Sequence, residues 1–169
     1  MRTGRAKAVA AVALLALALA AAWLLRPGDA SRIRALIREA ASAVEREDAG
    51  GVMAAISFGF RDERGRGYLE LRKALEDRFR RYSDIVVEYE GLEVAVEDGR
   101  ATATMGLRVI ATLGGTRGYY LGDIREPVRL RLALEKGPTG KWLISGAAWT
   151  PPPGDMASGL PGVKKAKGG

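Results

Sequence analysis

The period of the apolar positions changes twice along this chain, and each change marks a boundary. Residues 8–25, AVAAVALLALALAAAWLL, are apolar without a break, which leaves no polar face for a surface helix of a soluble domain. From residue 31, SRIRALIREAASAVERED puts Ile33, Leu36, Ile37, Ala40, Ala41 and Val44 at helical spacing, with Asp29 or Ser31 as its cap. Asp48-Ala49-Gly50-Gly51 breaks this helix. VMAAIS then predicts a short second helix, and Gly59 to Gly67 a loop. A third helix is predicted in YLELRKALEDRFRRYS, with Tyr68, Leu71, Leu75, Phe79 and Tyr82 on one face. Its other side carries the i,i+4 pairs Arg72–Glu76, Lys73–Asp77, Glu76–Arg80 and Asp77–Arg81, a solvated face.

At Ser83 the period becomes two. Ile85, Val87 and Tyr89 alternate with polar residues, the parity flips at Gly91, and Leu92, Val94 and Val96 continue the apolar row. A glycine at a parity flip is the mark of a β-bulge, and Asp98-Gly99 is a two-residue hairpin turn. The register follows: Glu97 faces Arg100, Val94 faces Ala103 and Leu92 faces Met105. Beyond the bulge Tyr89 faces Leu107, Glu88 faces Arg108 and Val87 faces Val109. Apolar meets apolar and charge meets opposite charge throughout. GGTRGYYLGDIRE reads as a long loop, followed by a third strand with Val128, Leu130, Leu132 and Leu134 on one face. After the turn Gly137-Pro138-Thr139-Gly140, KWLISGAAW is the last strand. The strand carboxylates Glu88, Glu93, Glu97 and Glu135 fall on the outer face. Residues 151–169 hold four Pro and five Gly, too few apolar groups for a core, and read as a disordered tail. Its Lys164, Lys165 and Lys167 could graze anionic headgroups.

Charge and composition locate the pieces. Arg2, Arg5 and Lys7 precede the 8–25 run and Arg26-Pro27-Gly28 follows it. As a helix the run would be about 27 Å long, near the hydrocarbon thickness of roughly 30 Å. Trp23 suits the interface, and the basic leader holds the N-terminus in the cytoplasm. Residues 1–30 are therefore a signal-anchor in a bacterial inner membrane, with residues 31 onward in the periplasm. A cleaved signal peptide, releasing a periplasmic or secreted domain, is the other reading, since Ala20-Ala21-Ala22 and Gly28-Asp29-Ala30 offer small-x-small sites. The net charge of +7 divides into +3 for residues 1–30, +2 for residues 151–169 and only +2 for residues 31–150, which argues against nucleic-acid binding. With neither Cys nor His, the chain has no thiol nucleophile, disulfide, ordinary zinc site or imidazole base.

Three helices on a strongly bent four-stranded antiparallel sheet, preceded by the apolar helix, make an α+β cone. The stretches IREAASAVEREDAGGVMAAIS, LEVAVEDGRATATMGLRV and VRLRLALEKGPTGKWLISGAAW resemble the nuclear transport factor 2-like superfamily, also called SnoaL-like or cystatin-like. FRDERGRGYLELRKAL resembles a bacterial subgroup of it in which an Arg-Asp, Gly-containing loop precedes the third helix. The resemblance spans residues 32–150. It implies a pocket between the concave sheet face and the helices, acid/base groups inside the cone in its dehydratases and isomerases, and frequent dimerisation through the outer sheet face. Glu and Arg rows on that face could pair across a two-fold axis.

The residues themselves argue for a quiet pocket. Inward positions are Val, Leu, Ala, Met and Tyr89, and no His–Asp pair is available. Asp62 and Glu63 alone lean over the mouth, where Arg61, Arg64 and Arg66 would hold them ionised, the local pair being Arg61–Asp62 with Phe58 and Phe60 tucked beneath. Gly65 and Gly67 before a helix could cradle an anion, but their spacing matches no nucleotide motif. Tyr68, Tyr119, Tyr120, Trp142 and Trp149 complete the candidate ligand surface. No catalytic, cofactor or metal residue is assigned. The expected role is a non-enzymatic accessory module binding a partner protein or a small apolar ligand in the cone. A hydrolyase or isomerase using Asp62 or Tyr89, and a pocketless subunit of an envelope complex, are the alternatives.

Overall fold

The computed structural model describes residues 28–150. The apolar run 8–25 and the tail 151–169 lie outside the described residues; within them no helix is long and apolar enough to cross a membrane. Element order is α1 (Asp29–Glu45), α2 (Ala49–Met53), β1 (Ile56–Asp62), α3 (Tyr68–Phe79), β2 (Tyr82–Glu97), β3 (Arg100–Leu113), β4 (Thr116–Leu121), β5 (Val128–Lys136) and β6 (Trp142–Thr150). The sheet has six strands in the order β1-β6-β5-β3-β2, with β4 paired to β3, and it is mixed, because β1 runs parallel to β6.

Two strands therefore replace stretches expected to be otherwise. The short helix ends at Met53, and Ile56–Asp62, expected as helix end and loop, is the edge strand β1. Its partner β6 lies some eighty residues on, so no local pattern announces the pairing. The expected loop after β3 turns back at once instead. Gly114 (φ +56°) and Gly115 (φ +82°) supply the two left-handed residues a tight hairpin needs, and Leu113 pairs with Thr116.

The long hairpin has the expected register. Glu97 faces Arg100, Val94 faces Ala103, Tyr89 faces Leu107, Glu88 faces Arg108 and Val87 faces Val109. Between Glu90↔Gly106 and Glu93↔Thr104 one residue is extra, and Gly91 takes φ +62° there. Leu92, expected opposite Met105, sits inside this bulge. A second bulge between Ser83 and Val86 puts Asp84 at φ +51°. Together the two bend β2 around α1, with which it makes extensive contact. The ion pair across the ladder is Arg108 Nη1 to Glu90 Oε2 at 2.9 Å, two residues along from the Glu88 that faces it.

Helix α1 buries Ile33, Ile37 and Ala43 against the sheet. It is not capped by Asp29 or Ser31: Gly28 is the N-cap and makes no side-chain bond. Asp29 instead turns to the sheet. Its Oδ1 accepts from Trp142 Nε1 at 3.0 Å and its Oδ2 from Lys136 Nζ at 2.9 Å, while the Lys136 ammonium lies 5.3 Å from the Trp142 ring centre. Helix α3 packs Tyr68, Leu71 and Leu75 against the core without burying any residue fully. On its outer side Arg72 pairs with Glu76, and Asp77 with Arg80.

Candidate functional site

The concave side of the bent sheet is the place where this fold could hold a ligand. Ile37, Met53, Phe60, Met105, Leu132 and Leu134 meet there, each no more than 8% exposed. Ser57 is the one buried polar residue among the described residues, and its hydroxyl donates to Glu135 Oε1 at 2.7 Å. The strand carboxylates Glu88, Glu93, Glu97 and Glu135 are all exposed. Tyr89 is half-buried and packs on the core cluster.

Over the mouth, the turn after β1 is organised by Asp62. Its Oδ1 accepts from the backbone N–H of Arg64 at 2.9 Å and of Arg66 at 2.8 Å, and its Oδ2 from Arg66 Nε at 2.6 Å. The side chain is 5% exposed. Burial pushes this carboxyl up, but the three donors outweigh it and hold the group below the usual carboxylate range. An acid poised for proton transfer near neutrality needs the opposite shift. The partner differs from the expected Arg61: that guanidinium bonds the Phe60 carbonyl oxygen at 2.9 Å, and the ion pair is Asp62–Arg66. Asp62 has the range to do this because residues 62–66 close a turn, with Asp62 N–H donating to Arg66 O.

The other candidates scatter. Phe60 is core at 3% exposed, whereas Phe58, expected beneath the loop, is 84% exposed with its ring centre 4.7 Å from that of Tyr68. Trp142 is 3% exposed and serves the Asp29–Lys136 clamp. Trp149, 36% exposed, lies near the end of β6, and Tyr119, 42% exposed, lies on β4. Tyr120 stacks on Tyr82 at 4.5 Å and accepts from Arg78 Nε, and its burial raises the phenol above its usual range. The structure thus brings Phe58, Phe60, Arg61, Asp62 and Tyr68 together at the cone mouth and leaves Tyr119 and Trp149 apart from them. Asp29 and Lys136 were not anticipated around Trp142, since more than a hundred residues separate the two ends of that contact.

Two open hollows lie outside the cone. One of about 300 Å³, between α1 and the β5–β6 turn, is lined by Arg32, Ala35, Leu36, Glu39, Lys141 and Trp142. Another of about 770 Å³ lies over the β2–β3–β5 ladder, between Ala95, Glu97, Arg100, Thr102, Ala133 and Ser145.

Solved structures share this arrangement of the chain. A nuclear transport factor 2-like superfamily protein from Salmonella enterica serovar Typhimurium superposes with TM-score 0.62 at 15% identity, covering 76% of this chain and 94% of that one. The fold is nuclear transport factor 2-like. A protein from Streptomyces avermitilis, provisionally assigned as a dehydratase of the same family, superposes with TM-score 0.60 at 14% identity, over 73% of this chain and 96% of that one. Bdellovibrio bacteriovorus Bd1075 matches with TM-score 0.58 at 13% identity, and the chain spans 39% of its length. No family model and no curated protein matches the chain. In this nuclear transport factor 2-like fold, apolar side chains line the concave side of the sheet among the described residues.

Proposed function

We propose that this protein is a non-enzymatic binding module, held at a bacterial inner membrane by residues 8–25 and engaging a protein partner in the periplasm. One observation carries the reading. The hollow of the cone is packed with hydrocarbon, and the carboxylate at its mouth, Asp62, has its oxygens committed to Arg64 and Arg66. Acid/base catalysis of dehydration or isomerisation needs a titratable group facing a substrate-sized space, and Asp62 is instead a structural anion. The outer sheet face, where small Ala95, Thr102 and Ala133 lie between Glu97, Arg100 and Glu135 around the larger hollow, favours a second copy of the chain as one such partner.

An apolar fluorescent probe of naphthalene size tests the reading on the full chain in detergent micelles. A packed cone yields no saturable binding beyond that of micelles alone. Saturable binding that the space-filling substitution Ala103→Phe abolishes, with the fold intact by circular dichroism, would establish an open ligand chamber and overturn the proposal. Extraction of expressing membranes with alkaline carbonate, together with the mass of the mature chain, distinguishes an anchored protein from a released one.

A further inference from the structure

We propose that Phe58, Tyr68 and Leu69 form an apolar shelf that rests on an anionic bilayer, with Arg61, Arg64 and Lys73 among the lipid phosphates. This depends on residues 8–25 holding the chain at a membrane, as the proposed function has it. Strand β1 carries Ile56, Phe58 and Phe60 at alternate positions, which in a regular strand share one face. Ile56 and Phe60 are indeed buried, at 9% and 3% exposed. Phe58 is not, because the β1–β6 ladder is broken between Ile56↔Ile144 and Arg61↔Gly146: five steps of β1 span two of β6. Bulges re-aim side chains, and this one turns a phenyl ring out to 84% exposure against Tyr68, whose neighbour Leu69 is 76% exposed. An exposed aromatic pair with a leucine next to it is costly to leave in water.

Charge selects the bilayer as the occupant. Arg61, Arg64 and Lys73 are exposed and make no ion pair among the described residues. Of the carboxylates beside them, Asp62 is held by Arg66 and Glu70 accepts the Gly67 N–H at 2.7 Å, while Glu63 stays exposed. Residues 57–73 thus carry five cationic and three anionic side chains. The strand order puts β1 and β2 at opposite edges of the sheet, and β2 carries five carboxylates and no cation. An anionic surface therefore draws the β1 edge and repels the β2 edge. Aromatic rings and leucine beside arginine and lysine are side chains that settle at a headgroup layer. Distance permits the contact as well. Asp29 is bonded to Trp142, and Ile144, two residues on, pairs with Ile56. Two residues along each strand and one strand spacing put Phe58 within about 14 Å of Trp142. Only Arg26 and Pro27 separate Gly28, the N-cap of α1, from the apolar run. An anchor at 8–25 therefore starts α1 near the headgroups, with the shelf in reach of them.

The chain has no cysteine, so introduced thiols report without background. An environment-sensitive fluorophore on Leu69→Cys is read in the full chain, reconstituted into vesicles of phosphatidylcholine with phosphatidylglycerol. Spin-labelled lipid is expected to quench it at least about threefold more than the same label on Thr116→Cys, at the β3–β4 hairpin. Vesicles of phosphatidylcholine alone, Phe58→Ser, or Arg61→Gln with Arg64→Gln lower the quenching to that of the Thr116→Cys control. Each exchanged side chain is exposed, so circular dichroism should show the fold unchanged. Equal quenching at positions 69 and 116 overturns the proposal, as does quenching that survives the loss of anionic lipid or of both arginines. A fluorescence shift that spin-labelled lipid leaves alone, but that grows with protein density, gives the shelf to a second copy and overturns it too. Release of the chain by alkaline carbonate defeats the anchor alone. Binding of the released chain to the same vesicles, lost in Phe58→Ser, then upholds the shelf, and absence of binding overturns it.

Discussion

Replacing Asp62 by Asn keeps the shape of the side chain and removes only its charge and one acceptor. The amide oxygen can still take the N–H groups of Arg64 and Arg66, now at 2.9 and 2.8 Å from the carboxylate. Its NH₂ then faces Arg66 Nε, donor against donor, where a 2.6 Å charge-assisted bond stood. A hydrogen bond to a charged group contributes about 1.5–3 kcal/mol, and an unmatched buried donor costs a similar amount. Because Arg66 is partly exposed and its guanidinium can swing to water, the lower part of that range applies, about 2 kcal/mol. For a domain of this size this is a fall in melting temperature of roughly 8 °C. Thermal unfolding of the full chain, followed by circular dichroism across pH, checks both size and cause. The carboxyl is depressed in the folded state, so its contribution is complete above about pH 4, the unfolded value, and is lost as pH falls through the lower folded value. Wild type and Asp62→Asn should therefore differ by a constant amount from pH 7 to about 5 and converge as the pH falls through the lowered folded value. A difference under about 2 °C at pH 7, or one that does not shrink as the pH falls below 4, would refute the reasoning.

Other substitutions probe other parts of the same argument. Gly91→Ala, at φ +62° with open space around the new Cβ, meets backbone strain alone and should cost about 1–2 kcal/mol, read as a lower denaturant midpoint at unchanged slope. Leu134→Ala, at 2% exposed in the core cluster, should cost about 2–5 kcal/mol; a loss below 1 kcal/mol would mean that the cone is not packed. Tyr120, its phenol raised by burial, should be the tyrosine that ionises late in an absorbance titration, a step missing in Tyr120→Phe. Its contribution to stability is present below the unfolded value near pH 10 and disappears as pH rises through the folded one.

Much of the hairpin was legible because its information is local. A parity flip at Gly91 and a two-residue Asp98-Gly99 turn suffice to set the register from Val87 to Val109, and side-chain alternation permits no other facing without burying charge. The Asp62 site was half legible. Clustered arginines implied an ionised carboxylate, but choosing Arg66 over Arg61 required the closed turn that brings residue 66 back onto residue 62. Gly114-Gly115 carried a hairpin signal that the polar residues around it outweighed.

By itself, then, the sequence determined the helical stretches of α1 and α3, the alternating stretches of β2, β3, β5 and β6 and how β2 meets β3, and it ruled out thiol and imidazole chemistry, since each of these depends on residues within a few positions or on composition. Tertiary structure alone decided that Ile56–Asp62 joins the sheet edge beside β6, that Asp29 clasps Trp142, and that Phe58 leaves the face its neighbours share. These contacts join residues eighty or more apart, or depend on how a ladder breaks, and their free energy exists only once the distant partner is in place.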